Sequence, residues 1–266
     1  MKKFLLAYSW LILLFLYVPM MVLMVYSFND SRINAEWGGF TLHWYTDLFQ
    51  KEAVIDALIN SLTIAFITTF VTTLLGVCFA VALHRYKYRF EGAINGLVYL
   101  PILIPDILMG LSLLILFSQF GMELGQTTII IAHITFSVSF VVVILSARLS
   151  GMGRDLEEAA NDLGATPWQT FRYVTLPALA PGIISAALLT FTLSIDDFVI
   201  SFFVSGPGST TLPLYIYGMV KRGVTPEINA LSTILIVTIV GLMILSEIFR
   251  NKGRDGEDNS GGHLPL

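Results

Sequence analysis

Charge is scarce in this 266-residue sequence: Asp, Glu, Lys and Arg make up 13% of it, against 55% hydrophobic residues. Soluble domains carry about 25% charged residues, so an ordinary water-facing surface is excluded and the composition suits lipid. The net charge of −4 rests mainly on loops and on the tail from Asp255 to Asp258, and no basic stripe is present to meet nucleic acid. Cysteine is nearly missing. Cys78 alone, inside an apolar run, excludes a disulfide framework or a cysteine metal cluster within the chain and reads as filler between helices. No histidine or carboxylate stands at helical spacing from His133, which therefore reads as a hydrogen-bonded packing residue rather than a metal ligand. A Walker-type glycine loop is also missing, so the chain cannot hydrolyse ATP itself. No nucleophile and base fall at usable spacing, which argues against an enzyme.

What is present is length of apolar run. A hydrocarbon core about 30 Å thick takes roughly 20 apolar residues per helix. Runs of that order cover residues 4–28 and about 61–83, 94–120, 127–149, 179–204 and 228–249. The expected fold class is therefore all-α: a polytopic membrane protein with six transmembrane helices and both termini on one side. Eleven of the 15 basic residues, from Lys2 and Lys3 through Arg85, Arg148 and Arg172 to Arg250, fall on the side of the termini. Arg32, Lys51, Lys221 and Arg222 fall on the other, so the termini are expected in the cytoplasm. Lys221 and Arg222 run against that trend in a loop shared with Glu227. The first run follows two lysines as a signal peptide does, but it exceeds an h-region and no small-x-small cleavage site follows, so it reads as a retained span.

The expected division is a first helix with a periplasmic segment at 1–56, a core of five membrane helices at 57–250, and a disordered polar tail at 251–266. Within the periplasmic segment, Trp37, Trp44 and Tyr45 favour the headgroup level and predict an interfacial helix near 42–49.

The segment 150–177 is far more polar than its neighbours. Helix formers run from Arg154 to Leu163, and Gly164 suits the left-handed position that ends a helix. Thr166 then offers an N-cap, with Pro167 at the first helical position and Gln169 three residues after the cap. A second short helix is expected to run through Trp168, Phe171 and Val174 until Pro177 and Pro181 stop it. The product is a helical hairpin on the cytoplasmic side. By capping chemistry alone it is only a surface connection.

Its residues carry more. Glu158-Ala159-Ala160, three residues, Gly164, nine residues, Val174, one residue and Leu176-Pro177 together resemble the EAA loop of ABC importer permeases, with Val174 where the family usually has Ile. In that family the first helix and its glycine turn contact the ATPase, which implicates Glu158, Ala159, Ala160 and Gly164 in coupling to a separate motor.

Three acids fall inside apolar runs: Asp106 within Pro101-Ile-Leu-Ile-Pro105-Asp106, and Asp196 with Asp197 near the middle of the fifth run. A carboxylate at a helix centre costs about 2.5–3.5 kcal/mol on insertion scales, so these need water or a cation beside them. On a continuous helix Thr190, Ser194, Asp197, Ser201 and Ser205 share one face, and Asp196 points about 100° away. Periodicity thus favours Asp197 for a translocation path, with Asp196 at its edge; pairing with Ser or Thr on neighbouring helices is the structural alternative. Trp44 is a further candidate for that path, covering an aliphatic amine by a cation–π contact, with anchoring at the membrane interface as its alternative.

Acids along a path point to a cationic cargo. The stretch FTLSIDDF from Phe191, the segment from Ser205 through Ile236, WGGFTLHWYTDLF and PDILMGLSLL resemble the C-type permeases of spermidine/putrescine importers, over nearly the whole chain up to Arg250. That resemblance implies a type I ABC importer permease fold in the bacterial inner membrane, forming half of a polyamine path. It implies as partners a homologous second permease subunit, a cytoplasmic ATPase homodimer carrying ATP and Mg, and a periplasmic polyamine-binding protein, with no cofactor in this chain. An ABC permease for another small solute such as ferric iron, or an ion-gradient-driven secondary transporter, are the alternatives. A gradient-driven protein has no use for a motor-docking hairpin.

Overall fold

The computed structural model describes residues 2–31, 36–86, 89–153, 155–223 and 225–258, with side chains to residue 245. Among them every named element is helical, apart from one isolated bridge between Asn29 and Phe40. The helices are α1 Lys2–Tyr26, α2 His43–Leu48, α3 Glu52–Arg85, α4 Glu91–Leu103, α5 Asp106–Gln119, α6 Gln126–Gly151, α7 Asp155–Asp162, α8 Pro167–Thr170, α9 Leu176–Asp196, α10 Val199–Val204, α11 Leu212–Arg222 and α12 Pro226–Asp258, with a π turn at Phe171–Thr175. Five helical stretches are long and apolar enough to cross a membrane, and α4 with α5, bent by 107°, would make a sixth.

The chain forms two compact units, Met1–Ile59 with Thr211–Val240, and Asn60–Thr210 with Gly241–Leu266. In the first, α2 is the interfacial helix expected from its aromatics, and Trp44, Leu48, Val54, Ala57, Leu212, Ala230 and Leu231 form its core. The segment expected as 1–56 thus shares a core with α11 and the start of α12. Asn29 organises the loop before α2: its Oδ1 accepts from Gly38 N–H at 2.7 Å and its Nδ2 donates to Glu36 O at 2.8 Å. Lys51 pairs with Glu227 at 2.5 Å. No residue of α1 is buried within the chain, as suits an apolar helix facing lipid. α12 carries the backbone past Arg250 to Asp258, and residues 259–266 of the expected tail lie outside the described residues.

The second unit holds two layers of core. One gathers Val77, Ala80, Val98, Val141, Leu145, Leu149, Leu179 and Ala186. The other gathers Ile64, Leu113, Phe117, Ile129, Ala132, Ile200 and Val204. Lipid removes most of the hydrophobic drive between helices, so close contact has to hold them together, and small residues at the contacts permit it. A Cβ on Gly76 would lie 2.4 Å from Val141 Cγ1, which makes α3 and α6 near neighbours there. A Cβ on Gly206 would lie 1.9 Å from Leu124 O, a backbone atom that cannot step aside.

Three expectations about continuity are corrected. The third run is not one helix: Pro105 disfavours helical geometry for the residue before it, and Ile104 is extended at ψ 132. The fifth run is not one helix either, since α9 stops at Asp196 and Asp197 is extended at ψ 122. Conversely, Pro177 and Pro181 do not stop the second hairpin helix. α8 passes into the π turn, where Leu176 N–H bonds Phe171 O five residues back, and Pro177 lands in the first turn of α9. Pro167 to Asp196 is consequently one helical stretch of 30 residues.

Candidate functional site

The two helix breaks of the second unit open on one cavity. A space of about 350 Å³ is lined by Asp106 at the start of α5, by Asp196 and Asp197 at the end of α9, and by Phe136, Phe140 and Phe198. Residues 90 apart in sequence are brought together because Pro105 sets the first break and Asp197 makes the second.

Asp197 is chemically committed. Its Oδ2 accepts from Ser201 N–H at 2.7 Å and its Oδ1 from Ile200 N–H at 3.3 Å, so the side chain caps α10 and replaces the backbone bonds lost at the break. His133 of α6, fully buried, lies with Nε2 3.2 Å from Asp197 Oδ2 and 3.1 Å from Ser201 Oγ, and with Nδ1 2.8 Å from Ser194 Oγ. A carboxylate only accepts, so Nε2 carries a proton toward Asp197, and Nδ1 shares the remaining hydrogen bond with the Ser194 hydroxyl. Thr128 closes the far end of α10 by donating to Val204 O at 2.7 Å. His133 is thus a hydrogen-bonded packing residue, as the sequence predicts, but its carboxylate partner comes from another helix.

Asp106 and Asp196 are different. Both are exposed, and neither has a hydrogen bond or an ion pair among the described residues. The expected polar face along the fifth run does not form, because the 100° rule fails across the break. Thr190, Ser194 and Ser201 are buried instead, the last two gathered on His133. Asp197, which periodicity favours for the path, and Asp196 at its edge both line the cavity, and Asp196 is the more exposed. Trp44 belongs to the first unit; it is 5% exposed, packed in that core, with Nε1 donating to Asn29 O at 2.7 Å.

The hairpin is the second constellation. α7 ends at Gly164, whose φ of +85° is the left-handed turn predicted, and Ala165 N–H returns to Ala160 O at 3.0 Å. Thr166 and Gln169 form the reciprocal cap, with Thr166 N–H to Gln169 Oε1 at 2.8 Å and Gln169 N–H to Thr166 Oγ1 at 3.4 Å. Glu158, Ala159 and Gly164 are exposed and Ala160 is partly covered. Leu156, Leu163 and Trp168 are exposed at 63%, 89% and 65%, an apolar surface on an otherwise polar projection. The residue missed in the sequence is Glu157, one position before the motif. It pairs with Arg85 at the end of α3 and accepts from Thr175 Oγ1 at 2.6 Å, and Arg85 also donates to Thr175 at 2.5 Å. Its only sequence signal is a carboxylate level with a lone arginine that ends a long apolar helix.

Comparison with known proteins places the chain among transport permeases. The chain is 41% identical over 92% of its length to the spermidine/putrescine transport system permease protein PotC of Haemophilus influenzae, covering 96% of that protein. It is 45% identical over 86% of its length to the putrescine transport system permease protein PotI of Escherichia coli, covering 85% of it. A bacterial ABC transporter involved in import of the acidic polysaccharide alginate superposes with TM-score 0.70 over 96% of this chain and 94% of that one, at 20% identity. The inward-facing MetNI methionine ABC transporter superposes at 0.62 over 76% and 99%, at 19% identity. The fold is that of type I ABC importer permeases. Residues 72–251, which include all three acids and the whole hairpin, match the binding-protein-dependent transport system inner membrane component, and the chain belongs to that family.

Proposed function

We propose that this chain is one permease half of an ATP-driven importer of linear polyamines, with Asp106 and Asp196 as the anionic contacts for the cargo's ammonium groups. One observation carries the reading: two unpaired carboxylates share a cavity between apolar helices. Facing lipid, each would cost about 2.5–3.5 kcal/mol, so the cavity borders an aqueous path. The carboxylates suit cationic ends, and Phe136, Phe140 and Phe198 suit both methylene stems and the cation over a ring face. The relatives' names, spermidine/putrescine and putrescine permeases, support the same cargo class.

The hairpin, through Glu158, Ala159, Ala160 and Gly164, docks on a cytoplasmic ATPase homodimer that carries ATP and Mg, and a periplasmic binding protein delivers the cargo. The termini lie in the cytoplasm and a homologous permease completes the path. ATP supplies the free energy of closure on the partner chains; this chain holds, orients and releases the cation. The test is uptake of radiolabelled spermidine and putrescine into vesicles holding this chain with its partners. Uptake that needs ATP and drops at least tenfold in Asp106→Asn is expected; ATP-independent uptake, or no polyamine uptake, refutes the reading.

A further inference from the structure

A second cleft, of about 300 Å³, lies between α4 and α6 and is lined by His84, Glu91, Asn95, Tyr99, Ser146 and Ser150 among its polar residues. The lining of this cleft and that of the acidic cavity are in one register. Glu91 and Asn95 meet Ser150 and Ser146 in the cleft, and Pro101 and Ile102 meet Phe136 and Phe140 in the cavity, so α4 and α6 run antiparallel. On α4, residues 91, 95, 99 and 102 share a side, and on α6 so do 136, 140, 143, 146 and 150. The two linings thus lie on matching sides of α4 and α6, along a lane of about 18 Å on α4 from Glu91 to Leu103 at 1.5 Å per residue.

The lane ends beside the hairpin. His84 precedes Arg85, which holds Glu157 of α7 and Thr175 of the π turn. Among the described residues, Arg85 is engaged with the hairpin and Arg89 lies over the Phe90 ring at 5.6 Å. Among the described residues the cleft lining holds one carboxylate, Glu91, with His84, Asn95, Tyr99, Ser146 and Ser150, where the upper cavity has two carboxylates without a partner.

We propose that this cleft is a second, weaker ammonium site, the inner station of the path, with Glu91 as its anion and Asn95, Tyr99, Ser146 and Ser150 as neutral acceptors. The proposal rests on the cargo reading of the upper cavity and extends it: a cation leaves two carboxylates for one, so binding weakens toward the exit. The Arg85–Glu157 contact links the width of the cleft to the position of the hairpin.

The test is equilibrium binding of radiolabelled spermidine to the nucleotide-free full complex in nanodiscs. Wild type is expected to show a tight and a weak class of site. Asp106→Asn with Asp196→Asn removes the tight class and leaves the weak one. Adding Glu91→Gln weakens the remaining class roughly tenfold, as loss of one charge-assisted contact predicts, while Glu91→Asp retains it. Unchanged weak binding in Glu91→Gln, or a wild type that lacks the weak class, overturns the proposal. Loss of the tight class from wild type would refute the upper cavity alone, because the Glu91 comparison still reads the lower one. Co-purification of the ATPase with Glu91→Gln, an exposed side chain, checks that assembly is intact.

Discussion

Asp196 and Asp197 are adjacent and chemically identical, and the structure gives them opposite consequences on replacement by Asn. Asp197 accepts three bonds, from Ser201 N–H, Ile200 N–H and His133 Nε2. An amide keeps one oxygen and turns an NH₂ toward groups that already donate, so one bond is lost if the oxygen stays on Ser201 and His133, and two if it faces Ile200. Bonds to a charged acceptor contribute about 1.5–3 kcal/mol each in soluble proteins, while polar contacts inside membranes average about 0.6. The expected cost of Asp197→Asn is therefore between about 0.6 and 6 kcal/mol. Asp196→Asn breaks no bond and should stay within about 0.5 kcal/mol of wild type. The assay is the unfolding midpoint of the purified complex in detergent, followed by tryptophan fluorescence, beside polyamine uptake. Asp197→Asn should lower the midpoint; Asp196→Asn should leave it in place and lower uptake. Equal midpoints for the two variants, or a lower one for Asp196→Asn, would refute the division of labour between them.

Other replacements read other parts of the fold. Gly206→Ala sets a Cβ on Leu124 O and should cut the yield of folded protein severely, measured by detergent-soluble monodisperse material. Gly164→Ala forces an L side chain to φ +85°, costing about 1–2 kcal/mol, and should loosen ATPase binding in co-purification. Glu158→Lys reverses charge on the exposed docking face and should abolish ATPase capture while leaving the unfolding midpoint unchanged. Arg85→Ala leaves Glu157 without its cation and should uncouple ATP hydrolysis from uptake, seen as hydrolysis that no longer rises with loaded binding protein.

The hairpin was legible in the sequence almost residue by residue, because caps are local: Gly164, Thr166, Pro167 and Gln169 each act through neighbours within four positions. The bend at Ile104 was equally local in origin, yet a run of apolar residues on both sides of Pro105 hides it from a count of span lengths. The break at Asp197 was not legible. No proline or glycine marks it, and periodicity carried Ser194, Asp197 and Ser201 onto one face of a helix that does not exist. What ends the helix is a carboxylate that bonds two backbone amides and a histidine 64 positions earlier, a tertiary cause with no short-range signature. Glu157 escaped notice for the same reason, since its partners stand 72 and 18 positions away.

These two failures of local reading fall where the mechanism needs them. The stretch Pro167–Asp196 is unbroken, roughly 45 Å from the exposed Trp168 to the acid at its end, so a tilt imposed on the hairpin reaches Asp196 without being absorbed along the way. Immediately beyond, the backbone is extended and α10 is held to α6 through His133 and Thr128. The break is thus centred on Asp197, and its neighbour Asp196 carries one of the two carboxylates of the cavity that have no partner among the described residues. A continuous fifth helix would have dragged α10 with it and kept the spacing of the acids fixed. In the proposed mechanism the break would let movement at the hairpin alter the distance between Asp196 and Asp106, and with it the hold on a cation.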